Sequence, residues 1–215
     1  MGFFAQRFYP NESLISFLGA NFFRLKQAEK SKLKILEVGC GSGANLWMVA
    51  KEGFATFGID LSASGIGLCK KMLAHWGVTA NLQVGTIAKL PYQNNFFDVI
   101  FDVVSIQHLT FKQHRFAYEQ IFRCLKKGGL FFSYHLGENS ISLKSTNNMI
   151  DHCTVKNITC GYPLANNGQT CFMSANESRS LLHDVGFVNI TIEKITRSYH
   201  NQTQTIEYLV VNAEK

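Results

Sequence analysis

The sequence from Ile35 to Ser62, ILEVGCGSGANLWMVAKEGFATFGIDLS, decides the fold. A short apolar run leads into Gly39, Gly41 and Gly43. A stretch of helical character, a second apolar run and Asp60 then follow. Glycines permit unusual backbone angles and let a ligand approach the main chain closely. The stretch therefore predicts a strand, a ligand-binding loop, a helix and a second strand.

The rest of the chain continues the alternation of strands and helices that is typical of α/β proteins. We expect strands at KILEV, FATFGID, ANLQVG, FDVIFDVVS and LFFSYHL, and a helix from Phe111 that is closed by Gly128 and Gly129. VNITIEKIT and TIEYLVVNAE should end the chain as a hairpin. The predicted fold is α/β, with a doubly wound, mostly parallel seven-stranded sheet and a C-terminal antiparallel hairpin. Ligands of such sheets bind outside the carboxyl ends of the strands.

The 215 residues predict a single domain, residues 1–215. Within it we expect an N-terminal helical cap over residues 1–30 and a substrate-covering insert over residues 137–173. The second expectation depends on composition, because this segment is rich in Asn, Ser, Thr and Gly. Irregular segments of this length are uncommon unless they are functional.

The overall composition is that of a soluble globular protein, with 46% hydrophobic and 17% charged residues. No apolar run approaches the roughly 20 residues that cross a bilayer. The first residues lack the basic region and apolar core of a signal peptide. We therefore expect a cytoplasmic protein with reduced cysteines and no membrane partner. The net charge of +6 favours an anionic partner.

The glycine loop alone leaves the cofactor open. Gly39, Gly41 and Ala44 fit the G-x-G-x-x-A fingerprint of dinucleotide-binding proteins, which have an acidic residue about 20 positions further on. Asp60 suits NAD and other nucleoside-bearing cofactors equally, because a carboxylate there accepts hydrogen bonds from both ribose hydroxyls. An NAD-dependent oxidoreductase is therefore one reading of this stretch.

Further motifs favour a different cofactor. Glu37 extends the loop to E-x-G-x-G-x-G, and LPYQNNFFDVIF, SIQHL and CLKKGGLFF follow in order. Together they resemble the class I S-adenosylmethionine-dependent methyltransferases of the small-molecule type. The resemblance covers Lys34 to about His135 and resumes at SANESRSLLHDVGF. It implies a Rossmann-like methyltransferase fold that uses S-adenosyl-L-methionine and releases S-adenosyl-L-homocysteine.

The resemblance also implies cofactor-binding residues at the first two strands. Asp60 would bind the ribose hydroxyls, and Leu61 would pack on the adenine. The loop beneath the methionine part and the ribose would consist of Glu37, Gly39, Cys40, Gly41 and Gly43.

Further cofactor contacts are implied after the third and fourth strands. Thr86 stands where the family commonly has an aspartate that reaches the adenine amino group, and it brings no charge. Ile87 would give a backbone N–H and an apolar wall for the ring. The backbone around Asp102 and Val103 would accept a hydrogen bond from the cofactor ammonium, although Asp102 suits a loop cap equally well.

Two histidines are candidates for a general base. A hydroxyl acceptor usually needs a base, because an alkoxide is rarely present at pH 7. His108 follows the fourth strand, on the rim where the methyl group should lie, and histidine side chains titrate near neutral pH. His135, at the end of the fifth strand, is the second candidate. Tyr134 precedes it, and strand alternation sends the two side chains to opposite faces of the sheet.

Inserts largely determine substrate specificity in this family, so we expect substrate contacts from Arg7, Tyr9 and Tyr162. Tyr134, beside His135 at the end of the fifth strand, is a further expected contact. The positive net charge indicates a small anionic acceptor, such as a sugar, phosphorylated sugar or nucleotide-sugar. We expect methylation at oxygen, as in bacterial enzymes that modify small metabolites. An RNA methyltransferase and a non-catalytic cofactor-binding protein remain alternatives. The sequence contains no RNA-binding module or arginine-rich tract, which disfavours nucleic acid. It predicts no metal site and does not indicate an oligomeric state.

Overall fold

The computed structural model describes residues 2–144, 148–158 and 168–215. A 3₁₀ turn, Phe3–Ala5, precedes helices α1 (Glu12–Asn21) and α2 (Gln27–Lys30). The Asn11 side chain accepts a hydrogen bond from the Leu14 N–H, which satisfies a free donor at the start of α1. Leu14 is fully buried and anchors α1 against the sheet.

Strands and helices alternate through the centre of the chain. In order they are β1 (Lys34–Val38), α3 (Leu46–Lys51), β2 (Ala55–Asp60), α4 (Ala63–His75), β3 (Asn81–Val84), β4 (Phe97–Val103), α5 (Phe111–Cys124) and β5 (Leu125–Leu136). Two further 3₁₀ turns, Ile87–Lys89 and Ile106–His108, follow β3 and β4. The remaining elements are α6 (Ile141–Lys144), β6 (Thr154–Val155), β7 (Thr170–Cys171), α7 (Ala175–Val185), β8 (Val188–Tyr199) and β9 (Gln204–Glu214).

The main sheet has seven strands in the order β3-β2-β1-β4-β5-β9-β8. The first five strands in this order are parallel, and β9 runs antiparallel to both β5 and β8. This confirms the predicted doubly wound sheet and its C-terminal hairpin. The strand order reverses between β1 and β4, so a crevice opens at the carboxyl ends of these two strands.

Helices cover both faces of the sheet. On one face α1 and α3 bury Leu18 and Val49 against Phe101 and Phe132. On the other face α5 and α7 pack against Ile100, Phe131 and their neighbours. Each fully buried side chain of this size contributes about 1.5–3 kcal/mol through loss of apolar surface from water. The two clusters hold the ends of β1 and β4 in place.

One predicted boundary was wrong. Helix α5 ends at Cys124, four residues before Gly128, and the strand β5 begins at once with Leu125. The backbone of Leu125 pairs with Phe97 of β4, so a tertiary strand contact replaces the last helical turn. The glycines that were expected to close the helix lie inside the strand.

The segment after β5 is described in part. Its described residues form α6 and a two-stranded ladder in which Thr154 pairs with Cys171. The ladder packs against the 3₁₀ turn at Ile106–His108. The division into a cap over residues 1–30 and an insert over residues 137–173 remains a prediction. Within the described ranges, none of the helices combines the length and apolar character needed to cross a membrane.

Candidate functional site

The loop between β1 and α3 depends on glycine for its close packing. Gly39 adopts φ +68°, and a Cβ there would collide with the Ser105 side chain. At Gly43 a Cβ would lie 2.7 Å from the Cys69 sulfur. The N–H groups of Gly39 and Cys40 both donate to the Ile59 carbonyl, at 2.8 and 3.1 Å. The loop is thereby fixed against the end of β2.

Asp60 is fixed at the end of β2 by two backbone donors. The Gly41 N–H donates to Oδ2 and the Ser62 N–H to Oδ1, each at 2.8 Å. A carboxylate oxygen has two acceptor sites, so each oxygen can accept one more hydrogen bond. The carboxylate lines the crevice and is suited to bind a pair of neighbouring hydroxyls.

The crevice contains a cavity with two adjoining lobes of about 300 Å³ each. Both lobes are lined by Gly39, Asp60, Ser105 and His108. We call one the Thr86 lobe and the other the Arg7 lobe. The cavity lies at the carboxyl ends of β1, β2 and β4, where ligands of doubly wound sheets bind.

The Thr86 lobe is mostly apolar. Its walls include Leu61, Ile87, Ile106 and Leu109. The Thr86 hydroxyl accepts a hydrogen bond from the Ala88 N–H at 3.2 Å. Since that bond uses one lone pair of the hydroxyl oxygen, its O–H can still donate to a ligand. An apolar slot with a hydroxyl at its edge suits a heteroaromatic ring.

The Arg7 lobe is polar and contains a buried carboxyl group. Glu37 is 2% exposed, and its Oε1 accepts from Asn45 Nδ2 at 2.6 Å. Its Oε2 has no hydrogen-bond partner among the described residues. The pKa of Glu37 is raised to about 8, chiefly by burial and to a smaller extent by the nearby Asp102 and Asp60. The hydrogen bond from Asn45 and the charge of Arg7 act in the opposite direction. The site therefore holds a carboxyl group ready for a cationic partner.

The Asp102 carboxyl is a structural cap that does not face the cavity. Its oxygens accept hydrogen bonds from the N–H groups of Ser105 and Ile106, at 3.0 and 2.9 Å, and from Ser133 Oγ at 2.9 Å. Burial raises the pKa of this fully buried group, and these hydrogen bonds lower it. Val103, by contrast, lines the Arg7 lobe, and its contact with the cofactor ammonium remains a prediction.

Val104 also lines the Arg7 lobe, and its backbone adopts φ +55°. This left-handed conformation is rare for a β-branched residue, and such strain concentrates at functional sites. The Val104 N–H donates to the Tyr134 carbonyl at 2.8 Å, which helps to hold the strained peptide.

His108 lies on the rim shared by the two lobes. Its Nδ1 is 2.8 Å from the Gln169 carbonyl oxygen, and Gln169 Nε2 donates to the His108 carbonyl at 3.0 Å. A carbonyl oxygen accepts and cannot donate, so the proton must be on Nδ1. In the neutral ring Nε2 therefore carries the lone pair.

The structure does not bring His135 to the cavity, which corrects its assignment as a second candidate base. His135 is 2% exposed, with Nδ1 3.0 Å from Ser133 Oγ and Nε2 3.2 Å from Ser178 Oγ. Burial lowers its pKa to about 3, with a smaller effect from His114. The ring faces α7 on the far side of the sheet from α1, so it cannot exchange a proton with a ligand in the cavity.

Two predicted substrate contacts also lie away from the cavity. Tyr134 is 4% exposed and stacks on Tyr208, with 4.8 Å between the ring centroids. Tyr9 is 68% exposed and packs against Trp76 on the outer surface. Neither lines a lobe, because one ring is used in the core and the other points outward. Tyr162 lies outside the described residues.

Arg7 and Cys40 both line the Arg7 lobe. Arg7 Nη2 donates to Asn45 Oδ1 at 2.9 Å, which places the guanidinium beside the buried Glu37. Cys40 is 4% exposed, and it belongs to a core cluster with Leu46, Ile66 and Cys69.

Sequence reasoning missed several residues of the site. Asn45, Val104 and Ser105 line the Arg7 lobe, and Gln169 orients His108. Asn45 carries a weak signal, because an asparagine at the start of a helix suggests a cap. Gln169 carries none, since it contacts a residue 61 positions away.

Comparison with known proteins identifies the domain. Residues 35–129 match a family model described as a methyltransferase domain. The match spans the glycine loop, Asp60 and the turn that carries His108. These residues carry a methyltransferase domain, and the motifs around them resemble those of the class I, S-adenosylmethionine-dependent enzymes. The reading of the glycine loop as an NAD site is therefore set aside.

Curated relatives of this methyltransferase domain differ in their acceptors. The chain is 30% identical over 117 residues to a ubiquinone biosynthesis O-methyltransferase of Chelativorans sp. (strain BNC1), an alignment that covers 54% of the chain and 46% of the relative. It is 32% identical over 97 residues to phosphoethanolamine N-methyltransferase 1 of Arabidopsis thaliana, covering 45% of the chain and 19% of the relative. The chain thus spans less than half the length of these relatives.

Solved structures share the fold of the methyltransferase domain. Phosphoethanolamine N-methyltransferase 2 of Haemonchus contortus, solved with S-adenosyl-L-methionine, superposes with a TM-score of 0.70 at 18% identity, over 99% of this chain and 55% of that one. A protein from Pyrococcus horikoshii OT3 gives 0.67 at 21% identity and covers 99% of this chain and 98% of its own. Both likenesses show a common fold.

Proposed function

We propose that this protein transfers the methyl group of S-adenosyl-L-methionine to an oxygen of a small anionic metabolite of the sugar, phosphorylated-sugar or nucleotide-sugar type. The observation that carries the proposal is the orientation of His108. Its Nδ1–H is held by the Gln169 carbonyl, and the ring lies on the rim of both lobes.

The described residues fit the cofactor. The Asp60 carboxylate has acceptor sites left for the ribose hydroxyls, and the Thr86 lobe offers apolar walls for the adenine. The unpartnered Oε2 of Glu37 in the Arg7 lobe suits the α-ammonium. When bound, the cofactor supplies a methyl carbon that is electrophilic because it is attached to a sulfonium.

The protein has two tasks in this reaction. It must position the acceptor oxygen in line with the methyl carbon, and it must remove the hydroxyl proton. His108 Nε2 carries the free lone pair of the neutral ring, because Nδ1 is committed to the Gln169 carbonyl. Deprotonation of the acceptor by Nε2 leaves an imidazolium whose Nδ1–H still donates to Gln169, so the hydrogen bond also stabilises the charged ring.

Charge supports an anionic acceptor. The net charge of the chain is +6, which attracts small anions to the site. One relative acts, by its name, on phosphoethanolamine, an acceptor with a phosphate group. Another is named as an O-methyltransferase.

Ligand binding and turnover test the proposal in two steps. Calorimetry with S-adenosyl-L-methionine, S-adenosyl-L-homocysteine and NAD in parallel is expected to show binding of the first two alone. Release of S-adenosyl-L-homocysteine is then measured with a panel of sugar phosphates, nucleotide-sugars and phosphoethanolamine. Turnover on RNA and none on the panel would favour an RNA methyltransferase instead. Cofactor binding without turnover on either would favour a non-catalytic protein.

Substitution of His108 tests the base. His108→Ala is expected to lower kcat by about 100-fold or more, the usual effect of removing a general base. The affinity for S-adenosyl-L-homocysteine should stay within about twofold, since the imidazole is assigned to the acceptor. His183→Ala, an exposed histidine on α7, is the matched control. An unchanged kcat in His108→Ala would remove the base from the mechanism.

A further inference from the structure

Two cysteines meet at the short β6–β7 ladder. The sulfurs of Cys153 and Cys171 lie 2.7 Å apart, and both residues are buried free thiols, 3% and 1% exposed. The backbone holds them there, because the Phe172 N–H donates to the Cys153 carbonyl at 2.8 Å and Thr154 pairs with Cys171. Neither thiol lines a lobe of the cavity. The fold therefore places two oxidisable groups in contact outside the site already described.

The two sulfurs are close enough to bond with little movement. The sulfurs of a disulfide are about 2.05 Å apart, so the pair has to approach by less than about 1 Å. The Cys153 backbone is held by Asp151, whose Oδ1 accepts from the N–H groups of Cys153 and Thr154 at 3.1 and 2.7 Å. A disulfide can therefore form without rearrangement of the ladder.

A metal site is the alternative use of this region. Asp151, His152 and Cys153 bring three possible ligand atoms within 4.8 Å of one another. The Asp151 oxygens, however, already accept hydrogen bonds from backbone N–H groups, including that of Phe111 at 3.0 Å. His152 Nε2 lies 2.6 Å from Glu177 Oε1. A metal ion would have to displace these bonds, whereas a bond between the two sulfurs leaves them intact.

The ladder contacts the turn that carries His108 from both of its strands. On the β7 side, Gln169 and His108 share two hydrogen bonds, and Gln169 lies two residues before its cysteine. On the β6 side, Asp151 accepts from the Phe111 N–H and also lies two residues before its cysteine. A bond between the sulfurs therefore joins the two segments that hold residues 108–111.

We propose that Cys153 and Cys171 form a reversible disulfide, and that this bond holds the β6–β7 ladder against the turn that carries His108. The oxidant is a low-molecular-weight disulfide such as oxidised glutathione. One cysteine thiolate attacks it, which forms a mixed disulfide and releases one glutathione. The second cysteine attacks the protein sulfur of the mixed disulfide and releases the other glutathione. The two protein thiols lose two electrons and two protons, and the two glutathione thiols take them up.

The reaction is slow while the ladder is closed. The hydrogen bond between the two sulfurs raises the pKa of the Cys153 thiol, with burial as the next cause, so its thiolate is scarce. The ladder pairs two residues of each strand, and opening so short an element costs less than global unfolding. Oxidation starts in the open ladder, and closure brings the second thiol to the mixed disulfide. The expected reduced state of the cysteines then holds while reducing thiols are in excess.

Peptide mapping tests the bond. Trypsin cleaves after lysine and arginine, so it leaves the two cysteines on separate peptides, residues 145–156 and 157–179. Native protein incubated with oxidised glutathione and blocked with iodoacetamide should yield these peptides linked, and dithiothreitol should separate them. The second peptide also contains Cys160, which lies outside the described residues. Cys160→Ser should therefore keep the link, and Cys171→Ala should lose it.

Thermal unfolding of the oxidised and reduced forms measures the stabilisation. The two cysteines are 18 positions apart, and closing a loop of this size should raise Tm by about 6 to 12 °C. Cys153→Ala should show no increase with oxidation. Cys124→Ala removes a buried thiol at the end of α5 and is the matched control, which should keep the increase.

Hydrogen exchange followed by NMR locates the effect. Exchange of the Phe111 N–H should slow by about tenfold or more in the oxidised protein, because this N–H leaves Asp151 when the ladder opens. A raised Tm with unchanged exchange at Phe111 would overturn the link to the turn of His108. No linked peptides, or a link to Cys160 in place of Cys171, would overturn the disulfide. None of these measurements depends on turnover, so their outcome is independent of the proposed function.

Discussion

Glu37→Gln should make the protein more stable and should do so increasingly as the pH rises. Glu37 is fully buried, and its pKa is raised from 4.5 to about 8. In the unfolded chain the carboxyl group loses its proton near pH 4.5, whereas in the folded protein it keeps it until about pH 8. The stability of the wild-type protein therefore falls as pH rises between these values and is then constant. Glutamine is neutral throughout and lacks this penalty.

The size of the effect follows from the change in pKa. One pH unit corresponds to about 1.4 kcal/mol for a single proton, so the raised pKa is equivalent to about 5 kcal/mol of unfolding free energy. Glutamine keeps nearly the same volume, and its amide can still accept from Asn45 Nδ2. We expect the variant to match the wild type near pH 5 and to exceed it by a few kcal/mol at pH 8.

Urea unfolding of the ligand-free protein at pH 5, 6, 7 and 8 measures this difference. Glu193→Gln, which removes an exposed carboxylate on β8, controls for the loss of one surface charge. A difference between Glu37→Gln and wild type that stays constant from pH 5 to pH 8 would refute the reasoning. It would mean that the carboxyl group ionises in the folded protein as readily as in the unfolded chain.

Three further predictions concern cofactor binding. Asp60→Ala should weaken the binding of S-adenosyl-L-homocysteine by at least about 100-fold, since two hydrogen bonds to a charged group are lost. Near-normal affinity in a calorimetric titration would contradict the assigned ribose site. Thr86→Asp should tighten the binding of the same ligand by roughly 5- to 10-fold, because a carboxylate accepts a hydrogen bond from the adenine amino group more strongly than a hydroxyl does. Weaker binding would place the adenine elsewhere. Binding at pH 7 should release a proton from Glu37, because the cofactor ammonium favours the ionised carboxylate over the neutral form held by burial, Asp102 and Asp60. Calorimetry in buffers of different ionisation enthalpy should detect this release with S-adenosyl-L-homocysteine and not with 5′-methylthioadenosine.

Local sequence patterns predicted the fold and the cofactor loop. The strands of the parallel sheet read as short apolar runs because they are buried on both faces. Gly39 and Gly43 stand where the chain passes close to the side chains of Ser105 and Cys69. Asp60 could be placed because it directly follows such a run.

The same reasoning was wrong at His135. Alternation along β5 correctly placed the His135 and Tyr134 side chains on opposite faces of the sheet. It gave no information on which elements pack against each face. The structure turns His135 toward Ser178 of α7 and Tyr134 toward Tyr208, so neither reaches the cavity.

The sequence by itself determined the class of domain, the order of its elements and the residues at the ends of β1 and β2, because strand periodicity and the glycine turn are short-range properties. Only the tertiary structure decided how the site is charged and oriented. Arg7 meets Asn45 across 38 positions, and His108 meets Gln169 across 61. The burial that raises the pKa of Glu37 and the carbonyl that fixes the proton on His108 come from segments distant in the chain. Folding alone brings them within hydrogen-bond distance.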